Sequence, residues 1–147
     1  MIKGLDHINI VVSDLERSQK FFECFGMVVI DSSELSGSWI SSIVRLPEVS
    51  ARYVRLGLPG TETKIELISY DYPPSGKSNE VSQANRIGYR HLAFEVIDIE
   101  KIVYNFKEQG IEFLSEIFVY EKLGKKLVYF YGPDGILLEL CEYVKAK

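Results

Sequence analysis

Hydrophobic and polar residues alternate at the start of the chain. Across residues 4–12, the side chains of Ile8, Ile10 and Val12 fall on one side and that of His7 on the other. A period of two residues is typical of a β-strand with one buried face. We therefore predict a strand over residues 4–12 that presents His7 away from the core.

Helical spacing follows directly after this strand. Residues 14–25 carry apolar side chains every three or four positions, which predicts an amphipathic helix. Ser13 followed by Glu16 is a capping-box signature, so we predict that Ser13 caps the helix. Gly26 suits the left-handed conformation that commonly ends a helix.

The chain contains this strand and helix twice, followed each time by three more strand-like runs. Residues 4–27 align with residues 88–111 at an offset of 84, which places His7 on His91. Each copy therefore predicts a β-α-β-β-β module. The three later strands are expected near residues 27–34, 51–58 and 63–71 in the first copy, and near 112–120, 127–132 and 136–144 in the second.

The last strands of the two copies also match. Residues 64–72 align with residues 137–145 at an offset of 73, which places Glu66 on Glu139. The first copy therefore carries 11 extra residues, the difference between the two offsets. We expect this insertion, around residues 37–49, to form a lid.

The two modules are expected to share one domain. A half of about 70 residues would be only marginally stable alone, because it buries too little of its surface. The predicted domain is 1–147, with module 1 at about 1–72, a polar and proline-containing linker at about 73–87, and module 2 at about 88–147.

Each module supplies one His on its first strand and one Glu on its last strand. His7 and Glu66 come from the first module, and His91 and Glu139 from the second. All four alternate with apolar residues that we expect to pack under the helices, so they should lie on the opposite sheet face. The predicted fold is α+β, with two tandem βαβββ modules forming a curved mixed sheet around a central metal cleft and the helices outside.

The donor atoms of these residues favour a metal ion. A single His or Glu on a strand is usually an ordinary surface residue, but here the same pair recurs at the same place in both copies. Two converging carboxylates repel each other unless a cation neutralises them. Two imidazoles and two carboxylates suit Ni, Co, Mn, Fe, Zn or Mg, without selecting among them. We predict one divalent metal ion whose open coordination positions accept adjacent oxygens of a small-molecule substrate.

Composition and charge count against other kinds of partner. The formal net charge is −4, and the one short basic run, Lys122 with Lys125 and Lys126, is typical of a solvated turn. Nucleic-acid binding would need a clustered basic face, so we expect no nucleic-acid partner. No apolar stretch reaches the roughly 20 residues that span a bilayer, so we expect no membrane association. The two cysteines lie far apart and predict reduced thiols in a cytoplasmic protein.

The chain resembles the vicinal oxygen chelate superfamily, which includes glyoxalase I, methylmalonyl-CoA epimerase, extradiol dioxygenases and fosfomycin- or bleomycin-resistance proteins. The resemblance lies in LDHINIVVSDLERSQKFF, TKIELI, GYRHLAFEVIDIE and GPDGILLELCE, which stand in the family's order. It is strongest to the methylmalonyl-CoA epimerase and glyoxalase I branch. The metal ligands of the family fall on the two His and two Glu residues already predicted.

The resemblance implies a metal-dependent isomerase, epimerase or lyase that removes an α-proton. Its substrate would be a 2-oxo or hydroxy compound or an acyl-CoA-type thioester. Glu66 or Glu139 would leave the metal to act as the base, and strand parity adds Glu95 as a third candidate. Val11 stands where bacterial glyoxalase I usually has a glutathione-contacting Arg, which counts against a glutathione adduct.

The candidate substrate-binding residues are Asn9, Arg45, Tyr70 and Tyr129. A homodimer is expected, with the site formed within one chain or across two. The alternatives are a protein that binds or sequesters a drug or metabolite without turnover, and an iron-dependent dioxygenase. Intact candidate ligands count against the first, and a second carboxylate ligand counts against the second.

Overall fold

The computed structural model of the protein describes residues 1–144. The chain divides into two compact units, Met1–Lys77 (unit 1) and Ser78–Lys147 (unit 2). Lys145, which ends the second repeat pairing, and the predicted end of module 2 at residue 147 lie outside the described residues.

Unit 1 is a four-stranded mixed sheet with two helices. Its sheet has the order β1-β4-β3-β2, in which β1 and β4 are parallel and the other neighbours are antiparallel. The first and last strands of the module are therefore adjacent. The elements are β1 His7–Val11, α1 Leu15–Glu23, β2 Val28–Ser36, α2 Ser38–Val44, β3 Ser50–Gly57 and β4 Lys64–Tyr72.

Unit 2 repeats this arrangement within its described residues. Its sheet has the order β5-β8-β7-β6, again parallel between the first and last strands and antiparallel elsewhere. The prediction of an α+β fold built from two βαβββ modules is thus confirmed. The elements are β5 His91–Glu95, α3 Ile99–Glu108, β6 Phe118–Tyr120, β7 Lys125–Tyr131 and β8 Leu137–Tyr143.

The helix that follows the first strand begins at an aspartate in both units. The Asp14 side chain accepts a hydrogen bond from the Arg17 backbone N–H at 2.9 Å, and Asp98 caps α3 in the same way. The prediction that Ser13 caps α1 was therefore wrong. An aspartate carboxylate is a strong acceptor for the unpaired N–H groups of a first helical turn, and it recurs in both repeats where Ser13 does not.

One face of each sheet is apolar and packs under its helix. Phe22 of α1 is fully buried, and α1 packs on β3 and β4. In unit 2, α3 packs on β8 through a stripe that includes Val103 and Phe106. The buried strand residues on these faces include Val54, Leu56, Ile65 and Leu67 in unit 1, and Val128, Phe130, Leu138 and Leu140 in unit 2.

The insertion in the first module forms a short helix that covers part of the other sheet face. The buried side chain of Ile40 on α2 packs with Val49, Ala51 and Ile68, with Tyr70 beside them. Ile68 and Tyr70 lie on the same face of β4 as Glu66, because alternate residues of a strand share a face. The predicted lid segment is therefore packed onto one end of the Glu66 face.

The predicted strand over residues 112–120 is mostly absent. Phe113 forms an isolated bridge to Phe130, and regular pairing resumes only at Phe118. Between them, the Ser115 hydroxyl donates to the Glu116 carbonyl at 2.8 Å. Such local side-chain hydrogen bonds compete with strand pairing, which shortens β6 to three residues.

A tight turn places β8 beside β7. A side chain at Gly132 would put its Cβ 2.8 Å from the Leu138 side chain, and Gly135 has a φ of +76°. The close approach of the Leu138 side chain favours glycine at the first position, and the positive φ favours it at the second. The turn also carries the Gly135 carbonyl, which accepts a hydrogen bond from the Ser82 hydroxyl at 2.7 Å.

Candidate functional site

The polar face of each sheet carries one predicted His–Glu pair. His7 on β1 and Glu66 on β4 lie on adjacent strands of unit 1, and His91 on β5 and Glu139 on β8 lie on adjacent strands of unit 2. The helix-side neighbours Ile65 and Leu138 are buried. The predicted strand parity therefore holds in both units, and each pair lies on the sheet face opposite α1 or α3.

In unit 1, the histidine and the glutamate are held by different neighbours. His7 Nε2 lies 3.8 Å from Glu66 Oε1, and Asn9 Nδ2 donates to the same oxygen at 3.0 Å. His7 Nδ1 lies 2.8 Å from Asp6 Oδ2, and this hydrogen bond is the main cause of the lowered pKa of Asp6. An acidic partner on one ring nitrogen orients the other nitrogen toward a ligand position.

In unit 2, the glutamate is more deeply buried and directly paired with a cation. The Glu139 side chain is 4% exposed, against 20% for Glu66. Its Oε1 accepts a hydrogen bond from Lys125 Nζ at 2.6 Å, and its Oε2 lies 3.1 Å from His91 Nε2. The hydrogen bond to Glu139 raises the pKa of Lys125, so the ammonium stays charged in this half-buried position.

Tyr129 completes the surroundings of the unit 2 pair. It lies directly across from Glu139 on β7, and its ring centroid is 5.0 Å from that of His91. Burial, followed by the charge of Glu139, raises the pKa of the Tyr129 phenol. Tyr129 therefore stays protonated, and its ring packs against the ring of His91.

The spacing of each pair fits two neighbouring ligands of one metal ion. Adjacent ligands of an octahedral ion with bonds of about 2.1 Å lie roughly 3 Å apart. The distance of 3.1 Å between His91 Nε2 and Glu139 Oε2 matches this spacing. The distance of 3.8 Å between His7 Nε2 and Glu66 Oε1 exceeds it by less than 1 Å. The nitrogen and oxygen donors suit a borderline to hard divalent ion.

Each unit by itself offers two of the four predicted ligands. Within residues 1–144, no group of three or more His, Cys, Asp or Glu side chains is arranged to hold a metal ion. The meeting of both pairs around one ion therefore stays a prediction.

The fold agrees with comparisons to known proteins. The model of the Glyoxalase/Bleomycin resistance protein/Dioxygenase superfamily matches residues 4–140. The chain belongs to this superfamily. The resemblance seen in the sequence is thereby confirmed.

Individual members of the superfamily match over nearly the whole chain. The uncharacterised protein YwkD of Bacillus subtilis is 32% identical, with 97% of this chain and 98% of that protein covered. Human mitochondrial methylmalonyl-CoA epimerase is 31% identical, with 92% and 72% covered. A solved glyoxalase family protein from Bacillus cereus is 27% identical and superposes with a TM-score of 0.91, with 98% and 96% covered.

The other residues predicted for this superfamily member lie at different distances from the pairs. Glu95 ends β5 on the His91 face and is paired across from Cys141, two residues beyond Glu139. Tyr70 is half-buried in the apolar cluster under α2. Arg45 is exposed at the end of α2, in a left-handed conformation with a φ of +55°. Of the four predicted substrate-binding residues, Asn9 and Tyr129 contact the pairs directly.

The sequence interpretation missed two groups on the polar faces. Lys125 was assigned to a solvated turn, but it lies on β7 and contacts Glu139, so that interpretation was wrong. Extending the predicted strand by two residues would have placed Lys125 on the face of Tyr129. In unit 1, Arg55 lies opposite Glu66 and forms a bidentate ion pair with Asp31 that lowers the pKa of that carboxyl.

Two further observations bear on the expected surroundings of the protein. Within residues 1–144, no helix is long and apolar enough to cross a membrane. Cys24 is exposed at the end of α1, and Cys141 is buried on the Glu139 face. Burial raises the pKa of the Cys141 thiol, which disfavours its reactive thiolate form.

Proposed function

We propose that the protein is a metal-dependent isomerase, epimerase or lyase that removes an α-proton from a small chelating substrate. One divalent ion would be held by His7 and Glu66 from unit 1 and by His91 and Glu139 from unit 2. The observation that carries this proposal is the recurrence of the His–Glu pair on adjacent strands of both units. Superfamily membership supports the same chemistry.

The metal ion and the nearby carboxylates would have different roles in the reaction. When bound, the ion supplies Lewis-acid stabilisation of the negative charge that develops on a substrate carbonyl oxygen. Glu66 is the favoured base, because it is the more exposed carboxylate and is bound mainly by the neutral Asn9 amide. Glu139 is the favoured anchor, because its contact with Lys125 holds it in place. Glu95, which lies on the same strand face as His91, is the third candidate for the base.

The favoured substrate class is an acyl-CoA-type thioester with an acidic α-proton. The 31% identity to human methylmalonyl-CoA epimerase supports it. Val11, in place of a glutathione-contacting Arg, counts against a glutathione adduct. Reprotonation of the same carbon would give epimerisation, and reprotonation of its neighbour would give isomerisation.

The assembly and location of the protein form part of the proposal. A homodimer is supported by the exposed apolar residues of the edge strand β2, Val28, Val29 and Ile30, which are 43–52% exposed. A cytoplasmic location is supported by the two free cysteines. Sedimentation velocity of the purified protein would distinguish a dimer from a monomer.

The decisive experiment follows the α-proton itself. The purified protein is analysed for bound metals, and proton exchange into deuterated water is then followed for a panel of CoA thioesters and hemithioacetals. We expect one divalent ion per chain and exchange with a CoA thioester. Tight binding of a ligand without exchange would favour a sequestering protein instead. Oxygen uptake with a catechol would favour a dioxygenase.

A further inference from the structure

Lys125 forms an ion pair with Glu139, which is one of the proposed metal ligands. Its Nζ lies 2.6 Å from Glu139 Oε1, and its side chain is only 17% exposed. Its ammonium also lies 5.8 Å from the centroid of the Tyr143 ring. The lysine is therefore held in the polar face of the sheet rather than extended into solvent.

This cation is specific to unit 2. Lys125 lies directly across from Tyr143 on the neighbouring strand. The residue of unit 1 equivalent to Tyr143 is Tyr70, and the residue across from Tyr70 is Ala51. Glu66 instead accepts a hydrogen bond from the neutral amide of Asn9. Arg55, the cation nearest to it in the strand register, is bound to Asp31. Glu139 is thus paired with a lysine ammonium, whereas Glu66 is hydrogen-bonded to a neutral amide.

We propose that Lys125 competes with the divalent ion for Glu139 and thereby lowers the metal affinity of the site. This inference rests on the proposed function. Glu139 is nearly fully buried, and a buried carboxylate needs a counter-charge. In the metal-free protein, Lys125 supplies that charge and keeps Glu139 oriented toward His91.

Binding of a second cation to the same carboxylate has an electrostatic cost. A divalent ion and an ammonium about 5 Å apart repel each other enough to weaken binding by roughly tenfold, even at the dielectric constant of water. The effect grows as water is excluded. Lys125 therefore acts as a positioning residue for Glu139 that also lowers the affinity of the site for divalent ions.

The test compares metal affinities of charge-neutral and charge-retaining variants. Mn²⁺ binding to the metal-stripped full chain is measured by calorimetry for the wild type, K125M, K125Q and K125R. K125Q retains a hydrogen-bond donor for Glu139 in case K125M fails to fold. The matched control is K126M, because Lys126 contacts the exposed Glu100.

The proposal predicts a change in metal affinity when the charge of Lys125 is lost and none when it is retained. K125M and K125Q should bind Mn²⁺ about tenfold more tightly than the wild type. K125R and K126M should stay near the wild-type affinity. Removal of a merely structural lysine would leave the Mn²⁺ affinity unchanged or lower it. That result in both neutral variants would overturn the proposal.

The outcome also separates this inference from the proposed function. If the wild type binds Mn²⁺ and the neutral variants bind no more tightly, only the role of Lys125 fails. If the wild type binds no ion but K125M does, the competition is supported and metal-dependent function of the wild type is contradicted. If no variant binds any ion, both proposals fail together.

Discussion

The two units carry the same His–Glu pair but surround it differently. In unit 1, Glu66 is partly exposed and accepts a hydrogen bond from Asn9. In unit 2, the residue equivalent to Asn9 is Ala93, which has no side chain that can bind a carboxylate. Glu139 is instead bound by Lys125, which lies on β7. The pairs thus share position and chemistry, while the groups that hold each carboxylate come from different places.

This difference shows which parts of a duplicated site are constrained. The backbone positions of the pairs follow from parallel pairing of the first and last strands, which is the same in both units. The neighbours are set by individual residues on β1 and β7. The division between the units is thus one of surroundings: unit 1 holds the more exposed carboxylate, and unit 2 holds the more buried one, which is paired with a lysine.

The largest expected effect tests whether Glu66 is the base. E66Q should lower the rate of α-proton exchange by about 10²–10⁴-fold at saturating Mn²⁺, because an amide cannot accept the proton. The exchange is measured by NMR in deuterated water with the CoA thioester that the wild type accepts. E62Q, which changes an exposed loop residue just before β4, is the control and should retain the wild-type rate.

The opposite result would reverse the assignment. If E66Q retains exchange and E139Q loses it, Glu139 is the base and the assignment of Glu66 is wrong. Glu95 would be implicated if only E95Q lost the exchange.

The next effect concerns stability without metal. E139Q should lower the free energy of unfolding by about 1–3 kcal/mol, because Lys125 loses its charged partner in a half-buried position. E66Q should lower it by less than about 0.5 kcal/mol, as is usual for substitutions outside the buried network. Urea unfolding of both metal-stripped variants measures the difference. Equal losses would mean that the two carboxylates are held alike.

The smallest effect concerns the orientation of His7. D6N should weaken Mn²⁺ binding by about tenfold, because it removes the carboxylate that holds His7 Nδ1. Calorimetry with D71N as the control isolates this effect, since Asp71 is also exposed and lies outside the His–Glu pair. An unchanged affinity in D6N would show that β1 alone orients the ring.

Several features of the fold were predictable because they depend on periodic local patterns. The two-residue alternation around His7 and Glu139 identified which strand faces are polar, and the 84-residue repeat identified the paired modules. Asp14 and Asp98 recur in both copies, so the repeat already held the true helix caps. Ser13 has no such counterpart, since Ile97 stands at the equivalent position of the second copy.

The sequence by itself determined the module pattern, the strand parity and the positions of the two His–Glu pairs, since these follow from periodicity and internal repetition. Only the tertiary structure decided what contacts each carboxylate. The strand register brings Lys125 to Glu139 from 14 positions away, and it pairs Arg55 with Asp31. Register and strand ends depend on pairing between distant segments, and no local pattern encodes which side chains then meet.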